Sequence, residues 1–220
     1  MNIIFLGAPG SGKGTQAAML STELKVSTIS TGNVLREEVE QQSEIGKLAK
    51  SYMESGKLVP DEVVIDIIRD RVTNSDCDNG FILDGFPRNI FQAKALEKML
   101  DSIGKKIDHV FNFEVGEDIL IKRISSRFSC KSCGAVYNGY FKPLIKDGVC
   151  DDCGSTELGS RVDDNEETVK DRLKIYREST FPLIQFYKKK NLLVSISSIK
   201  GAPLVFEVLI EALKSSSKKF

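Results

Sequence analysis

Residues 7–15 read Gly-Ala-Pro-Gly-Ser-Gly-Lys-Gly-Thr and follow directly on the apolar run Ile3-Ile4-Phe5-Leu6. A short buried strand that enters a glycine-rich turn and then a helix builds a phosphate-binding loop. Main-chain N–H groups converge there at the helix start, where the macrodipole also favours negative charge. Glycines at 7, 10, 12 and 14 let the main chain close around phosphate oxygens where a Cβ would clash. Lys13 is then placed to reach the β- and γ-phosphates, and a hydroxyl at the helix start can face Mg²⁺. The expectation is a nucleotide site formed by Gly10, Ser11, Gly12, Lys13, Gly14 and Thr15.

The chain has 220 residues, 41% of them apolar, enough for one α/β core with small insertions. Its formal charge is zero and its pI is near 6.6, so no global field draws it to nucleic acid or an anionic membrane. The opening apolar run is too short for a signal peptide and lacks a basic start, and no stretch nears about 18 apolar residues. These features lead us to expect a cytoplasmic protein without membrane partners.

Apolar segments alternate between strand-like and helix-like patterns, which predicts a mostly parallel sheet covered on both faces. Strands are expected at 2–6, 27–29, 80–84, 109–114 and 192–196. Helices are expected at 13–24, 31–40, 61–73, 89–101, 116–126, 164–188 and 203–214. Residues 128–160, rich in Gly, Cys, Asp and Lys, break this rhythm and read as an inserted subdomain. The acidic run at 163–167 reads most simply as helix capping and dipole matching.

Within the insert, Cys130-Lys-Ser-Cys133 and Cys150-Asp-Asp-Cys153 stand 16 residues apart. Two such knuckles can supply four thiolates to a tetrahedral Zn²⁺, with no open position left for catalysis. Two disulfides or four unconnected thiols are the alternatives, and an intracellular setting disfavours disulfides. The metal would hold together an insert too small to have its own core. A nucleic-acid-binding zinc ribbon would want a basic surface, but Lys131, Lys142 and Lys146 are offset by Asp147, Asp151, Asp152 and Glu157. The fifth cysteine, Cys77, reads as a core or loop residue.

A second apolar strand ends in Asp84-Gly85-Phe86-Pro87-Arg88. At the carboxyl edge of a parallel sheet, Asp84 could hold a water of a Mg²⁺ shell and Arg88 offers a fork for phosphate. Read alone, the same residues could be no more than a turn beside a solvated arginine. The single histidine, His109, sits beside a strand and reads as structural.

The loop variant, with Gly14 between Lys13 and Thr15, resembles that of nucleoside monophosphate kinases; a GTPase would also need an Asn-Lys-x-Asp motif, which is missing. In order along the chain come Ser30-Thr31-Gly32-Asn33-Val34-Leu35-Arg36, Gly56-Lys57-Leu58-Val59, the Asp84 to Arg88 motif, Arg161-x-Asp163-Asp164 and Arg172-Leu173. With the phosphate loop and the cysteine insert, this series resembles the adenylate kinase family over essentially the whole chain, in its long form with a zinc-carrying lid.

The resemblance implies a P-loop three-layer α/β/α fold with a five-stranded parallel sheet. The core would comprise residues 1–29, 60–125 and 164–220, with a helical AMP-binding insert at 30–59 and a lid at 126–163. It implies reversible Mg²⁺-dependent transfer, ATP + AMP = 2 ADP, in purine salvage and energy homeostasis, by a monomer. Thr31 and Gln92 would place the adenine of AMP, Arg36 and Arg88 would grip its phosphate, and Lys57, Leu58, Val59, Gly85, Phe86 and Pro87 would complete that pocket. On the ATP side stand the loop residues, Arg123, Arg127, Val136, Tyr137 and Lys200, while Arg161 and Arg172 would bridge both substrates. Lys13, Arg88, Arg127, Arg161 and Arg172 would carry catalysis. The chain departs from the family's common pattern at Asn33, at Asn89-Ile90-Phe91, at Phe128 and at Ser197-Ser198. The rivals are a UMP/CMP or GMP kinase, and a P-loop switch or regulatory ATPase with no second nucleotide site.

Overall fold

The computed structural model describes residues 1–217; residues 218–220, assigned above to the core, lie outside the described residues. Five parallel strands form the central sheet: β1 (Asn2–Gly7), β2 (Ser27–Ser30), β3 (Phe81–Asp84), β4 (His109–Glu114) and, last in the chain, β8 (Leu193–Ser197). Their order is β2-β3-β1-β4-β8. The expected strands are therefore present within a residue or so at each end.

Successive side chains along a strand point to opposite faces, and β1 buries both sets. Ile4 and Leu6 join a cluster with Ile29, Leu83 and Val110, covered by helices α2 (Thr31–Glu40), α4 (Asp61–Val72), α5 (Ile90–Ser102) and α8 (Pro182–Lys189). Ile3 and Phe5 join Ile82, Phe111 and Phe113 on the other face, under α1 (Lys13–Leu24) and α9 (Ala202–Ser217). Burial on both faces explains why β1 reads as a continuous apolar run. Each fully buried Ile or Phe contributes about 1.5–3 kcal/mol, so the sheet is a rigid base for the loops at its carboxyl edge.

Chain order sets where those loops converge. From β1 the chain passes to β2 and β3 on one side, then crosses to β4 and β8 on the other. Ligands of open α/β sheets bind at such a reversal, outside the strand carboxyl ends. The glycine loop after β1 and the turn after β3 both lie there.

Two additions flank the sheet. The first includes a helix that the pattern reading did not place, α3 (Glu44–Glu54). Ser43 caps it, its hydroxyl accepting from the Gly46 N–H at 2.9 Å. Gly46 lets α3 cross close to α2, since a Cβ there would fall 2.0 Å from the Glu38 carbonyl oxygen. The second addition is a three-stranded antiparallel sheet of β5 (Arg127–Cys130), β6 (Val136–Asn138) and β7 (Leu158–Gly159), ordered β6-β5-β7. It follows α6 (Glu117–Ser125) and has a small core of Cys130, Tyr137 and Cys150 backed by Phe128, Leu144 and Leu158.

The helix expected over 164–188 is interrupted. A 3-10 turn at Val162–Asp164 leads into α7 (Glu166–Ile175), a π-helical stretch follows at Tyr176–Thr180, and α8 starts at Pro182. Proline at the first turn of α8 suits a fresh start, because its missing N–H is unpaired there in any case.

Candidate active site

The turn after β1 wraps the side chain of Lys13. Its ammonium donates to the carbonyls of Gly7 at 2.8 Å and Ala8 at 3.0 Å. Gly12 caps α1 at φ 94°, a left-handed conformation that glycine adopts without strain. Ser11 is fully buried beneath the turn and acts as a brace: its N–H donates to Ala8 O at 3.1 Å, and its carbonyl accepts from the Ser198 hydroxyl at 2.7 Å. Gly14 and Thr15 are exposed at the helix start, and the Asp84 carboxylate reaches to 3.5 Å from where a Gly14 Cβ would lie. Burial lowers the Lys13 pKa to about 8, with Asp84 pulling it up and Arg88, Arg172 and Arg127 pulling it down.

A cleft opens beside this loop. Thr31, Arg36, Lys57, Leu58, Val59, Gly85, Arg88 and Gln92 all line it, joined by Gly32, Leu35, Met53, Gly56 and Val64, with Asp163 and Arg172 at its edge. The lining combines apolar Leu35, Met53, Leu58, Val59 and Val64 with Arg36, Arg88 and Arg172, a mixture suited to a base and a phosphate. Thr31 donates to Gly85 O at 3.0 Å. Gln92 is nearly fully buried, its carboxamide held between the Arg88 N–H and the Asp61 carboxylate, each at 2.7 Å. Phe86 and Pro87 are buried behind the turn, joined by a cis peptide bond, and support the cleft without lining it.

Six cations converge between loop and cleft. Arg127 makes a two-pronged contact with Asp164, its Nε donating at 2.7 Å and Nη2 closing the second bond. Arg172 reaches Asp163 at 2.9 Å and Asp164 at 3.2 Å. Arg36 donates to Asn33 Oδ1 at 2.5 Å, so that departure from the family pattern braces a cleft arginine. Arg161 has its pKa lowered to about 10 by burial and by its neighbours Arg127 and Arg36. Solvent reaches Arg88 from the cleft mouth, yet surrounding protein and then Arg172 lower its pKa. Against Lys13 and these five arginines stand Asp84, Asp163 and Asp164, a surplus of three positive charges. The acidic run at 163–167 therefore does two jobs. Asn165 caps α7, accepting from Thr168 N at 2.9 Å, with Glu166 and Glu167 in its first turn, while the two aspartates hold arginines.

Other expected site residues stand outside these ion pairs, although Arg123 reaches the loop through Ser198. Arg123 donates to Ser198 O at 2.8 Å and packs over Phe141 at 5.0 Å. Lys200 is exposed in the turn before α9. Val136 is half-buried, and Tyr137 is fully buried in the small sheet, stacked on Phe128 with centroids 5.6 Å apart. A ligand contact from Tyr137 would have to come from its main chain. His109 lies half-buried against Phe111, and Cys77 is fully buried in the core, both as expected for structural residues.

The sulfurs of Cys130, Cys133, Cys150 and Cys153 lie within 4.8 Å of one another. The pairs Cys130–Cys153 and Cys133–Cys150 are 3.6 Å apart, far from a disulfide's roughly 2.05 Å. A tetrahedral site with metal–sulfur bonds of about 2.3 Å has edges near 3.8 Å, so the four fit a metal ion. The Tyr137 hydroxyl lies 3.3 Å from Cys150 Sγ and holds that thiol down at about 6, favouring the ligating thiolate.

Comparison with known proteins agrees with this geometry. The family model described as adenylate kinase matches residues 5–192. An adenylate kinase of Caldicellulosiruptor bescii is 55% identical over 194 residues, 88% of this chain and 90% of that one. One from Archaeoglobus fulgidus is 49% identical over 98% of this chain and its own full length, and one from Bacillus licheniformis 46% identical over 99% and 100%. Likeness at this level, from the first strand to the last and across bacteria and archaea, means that the chain belongs to the adenylate kinase family and is a phosphotransferase.

Proposed function

We propose that the chain transfers the γ-phosphoryl group of Mg-ATP reversibly to AMP, giving two ADP, and so serves purine nucleotide salvage and energy homeostasis. The observation that carries this reading is the second cleft. A regulatory ATPase needs one nucleotide site, whereas here a cleft lined by apolar side chains and by Arg36 and Arg88 shares cations with the Lys13 loop.

In this reading residues 10–15 cradle the ATP phosphates, with Arg123 and the 136–137 and 200 segments toward its adenine. Thr31, Gln92 and the 57–59 and 85–88 segments hold AMP. The core comprises residues 1–29, 60–125 and 164–220, the AMP segment 30–59 and the lid 126–163. The attacking group is an AMP phosphate oxygen, already ionised at neutral pH, so no general base is needed. The difficulty is electrostatic, since two polyanions must meet in line. Lys13, Arg36, Arg88, Arg127, Arg161 and Arg172 neutralise them from fixed positions, each well-aimed cation worth on the order of 2–4 kcal/mol in the transition state. Mg²⁺, bound mainly by the nucleotide, would supply further charge neutralisation; the Asp84 carboxylate beside Gly14 is the residue placed to hold one of its waters. Zn²⁺ at the four cysteines would keep the lid rigid, so that it excludes water as one body.

AMP as acceptor, a cytoplasmic location and a monomeric state complete the proposal, with no nucleic-acid or membrane partner. Among the described residues no helix is long and apolar enough to cross a membrane. The test is to offer Mg-ATP with AMP, UMP, CMP and GMP in turn. ADP formation that depends strongly on AMP supports the reading; equal rates with all four, or slow ATP hydrolysis alone, overturns it.

A further inference from the structure

Asp61 opens α4 and receives hydrogen bonds from two side-chain amides. Gln92 Nε2 donates to its Oδ1 at 2.7 Å, and Asn89 Nδ2 lies 3.0 Å from both its oxygens. Asn89 in turn accepts from Gln92 N at 2.8 Å through Oδ1, and Gln92 Oε1 accepts from Arg88 N at 2.7 Å. These orientations are fixed by chemistry. A main-chain N–H can only donate, so the atom facing it must be the carbonyl oxygen; an ionised carboxylate can only accept, so an NH₂ must face it. A flipped Gln92 amide would set donor against donor at Arg88 and acceptor against acceptor at Asp61.

After these bonds, Gln92 keeps one N–H and one carbonyl lone pair, and the residue lines the cleft. A lone pair beside an N–H complements a 6-aminopurine, whose exocyclic NH₂ donates beside a ring nitrogen that accepts. A 6-oxopurine would turn its O6 toward Gln92 Oε1, oxygen against oxygen.

We propose that Asp61 is a positioning residue for base choice: by holding the Gln92 amide in one orientation it makes the acceptor cleft select adenine over 6-oxopurine nucleotides. This rests on the reading of that cleft as the AMP site. Asn89, one of the departures from the common family pattern, belongs to the same clasp.

The test measures kcat and KM for AMP and for IMP in Asp61→Asn, Gln92→Leu and the double variant. Asparagine at 61 can donate as well as accept, so it removes the acceptor-against-acceptor clash there and leaves only the Arg88 N–H opposing the flipped amide. Asp61→Asn should cut the AMP-over-IMP ratio of kcat/KM about tenfold, the worth of one lost hydrogen bond in discrimination. The loss should fall on the KM for AMP, with kcat and the KM for ATP within about twofold of the parent. Gln92→Leu should lower the ratio by itself, and adding Asp61→Asn should then change it less than about twofold, because the positioned group is already gone. Asp61→Ser, too short to hold Nε2, should match Asp61→Asn and serves if that variant folds poorly.

An unchanged ratio in Asp61→Asn, or an equal loss with and without Gln92, overturns the proposal. A Gln92→Leu enzyme that keeps full preference for AMP has a different signature: it overturns the reading of the cleft itself, and the proposal with it.

Discussion

Replacing Asp164 by Asn removes one charge from the centre of the arginine cluster. The Asp164 side chain is 3% exposed and lies against Arg127 and Arg172, themselves 15% and 18% exposed. Breaking a buried ion pair by neutralising one partner typically costs 3–5 kcal/mol, because the other charge stays desolvated. Both arginines retain some contact with water and Arg172 keeps Asp163, so the lower end, about 3 kcal/mol, applies here. For a chain of this size that is a fall in Tm of about 6–12 °C, measured by calorimetry without nucleotide. A polyphosphate offers the same arginines new negative charge, so a saturating non-hydrolysable ATP analogue should raise the variant's Tm more than the parent's. A loss under about 1 kcal/mol, or equal ligand-induced shifts in variant and parent, would refute the claim that Asp164 balances cations awaiting phosphate.

Three further outcomes follow from the same structure. With its pKa lowered to about 8, Lys13 carries its charge below that pH and loses it above. ATP-analogue affinity should therefore weaken between pH 8 and 10, with proton uptake on binding seen by calorimetry in buffers of different ionisation heat; a flat profile counts against Lys13 as the phosphate cation. Stripping metal from the cysteine cluster should release about one Zn²⁺ per chain, loosen the 128–160 region in hydrogen exchange and raise ATP hydrolysis relative to transfer. Unchanged turnover and hydrolysis with a melted lid would remove the metal from the account. Gly46→Ala should cost about 1–3 kcal/mol, since its methyl would meet the Glu38 carbonyl at 2.0 Å; a Tm within about 1 °C of the parent would show that α2 and α3 separate freely.

Much of this was legible in the sequence because its signals are local. A buried strand, glycines and a lysine specify the phosphate loop without help from the rest of the chain, and paired Cys-x₂-Cys knuckles specify their own geometry. Strands β1, β3 and β4 stood out because both faces are buried, while the edge strands β2 and β8 are only partly buried. Helix α3 was missed although Ile45, Leu48, Ala49, Tyr52 and Met53 recur at helical spacing after a Ser43 cap; Gly46 and the surrounding lysines and glutamates obscured the stripe. The 164–188 stretch read as one helix because its apolar pattern carries through, and Pro182 was the signal of a restart. Pairings made across the fold had no local mark. Ser198 bracing Ser11, Asp61 holding Gln92, and Asp164 meeting Arg127 depend on distant segments converging.

In the proposed reaction one crowd of fixed cations serves two nucleotides at once. Equilibrium titration of AMP into protein already saturated with a non-hydrolysable ATP analogue tests it most directly. One AMP per chain should bind while the analogue stays in place. Displacement of the analogue by AMP, with a total of one nucleotide per chain throughout, would contradict it.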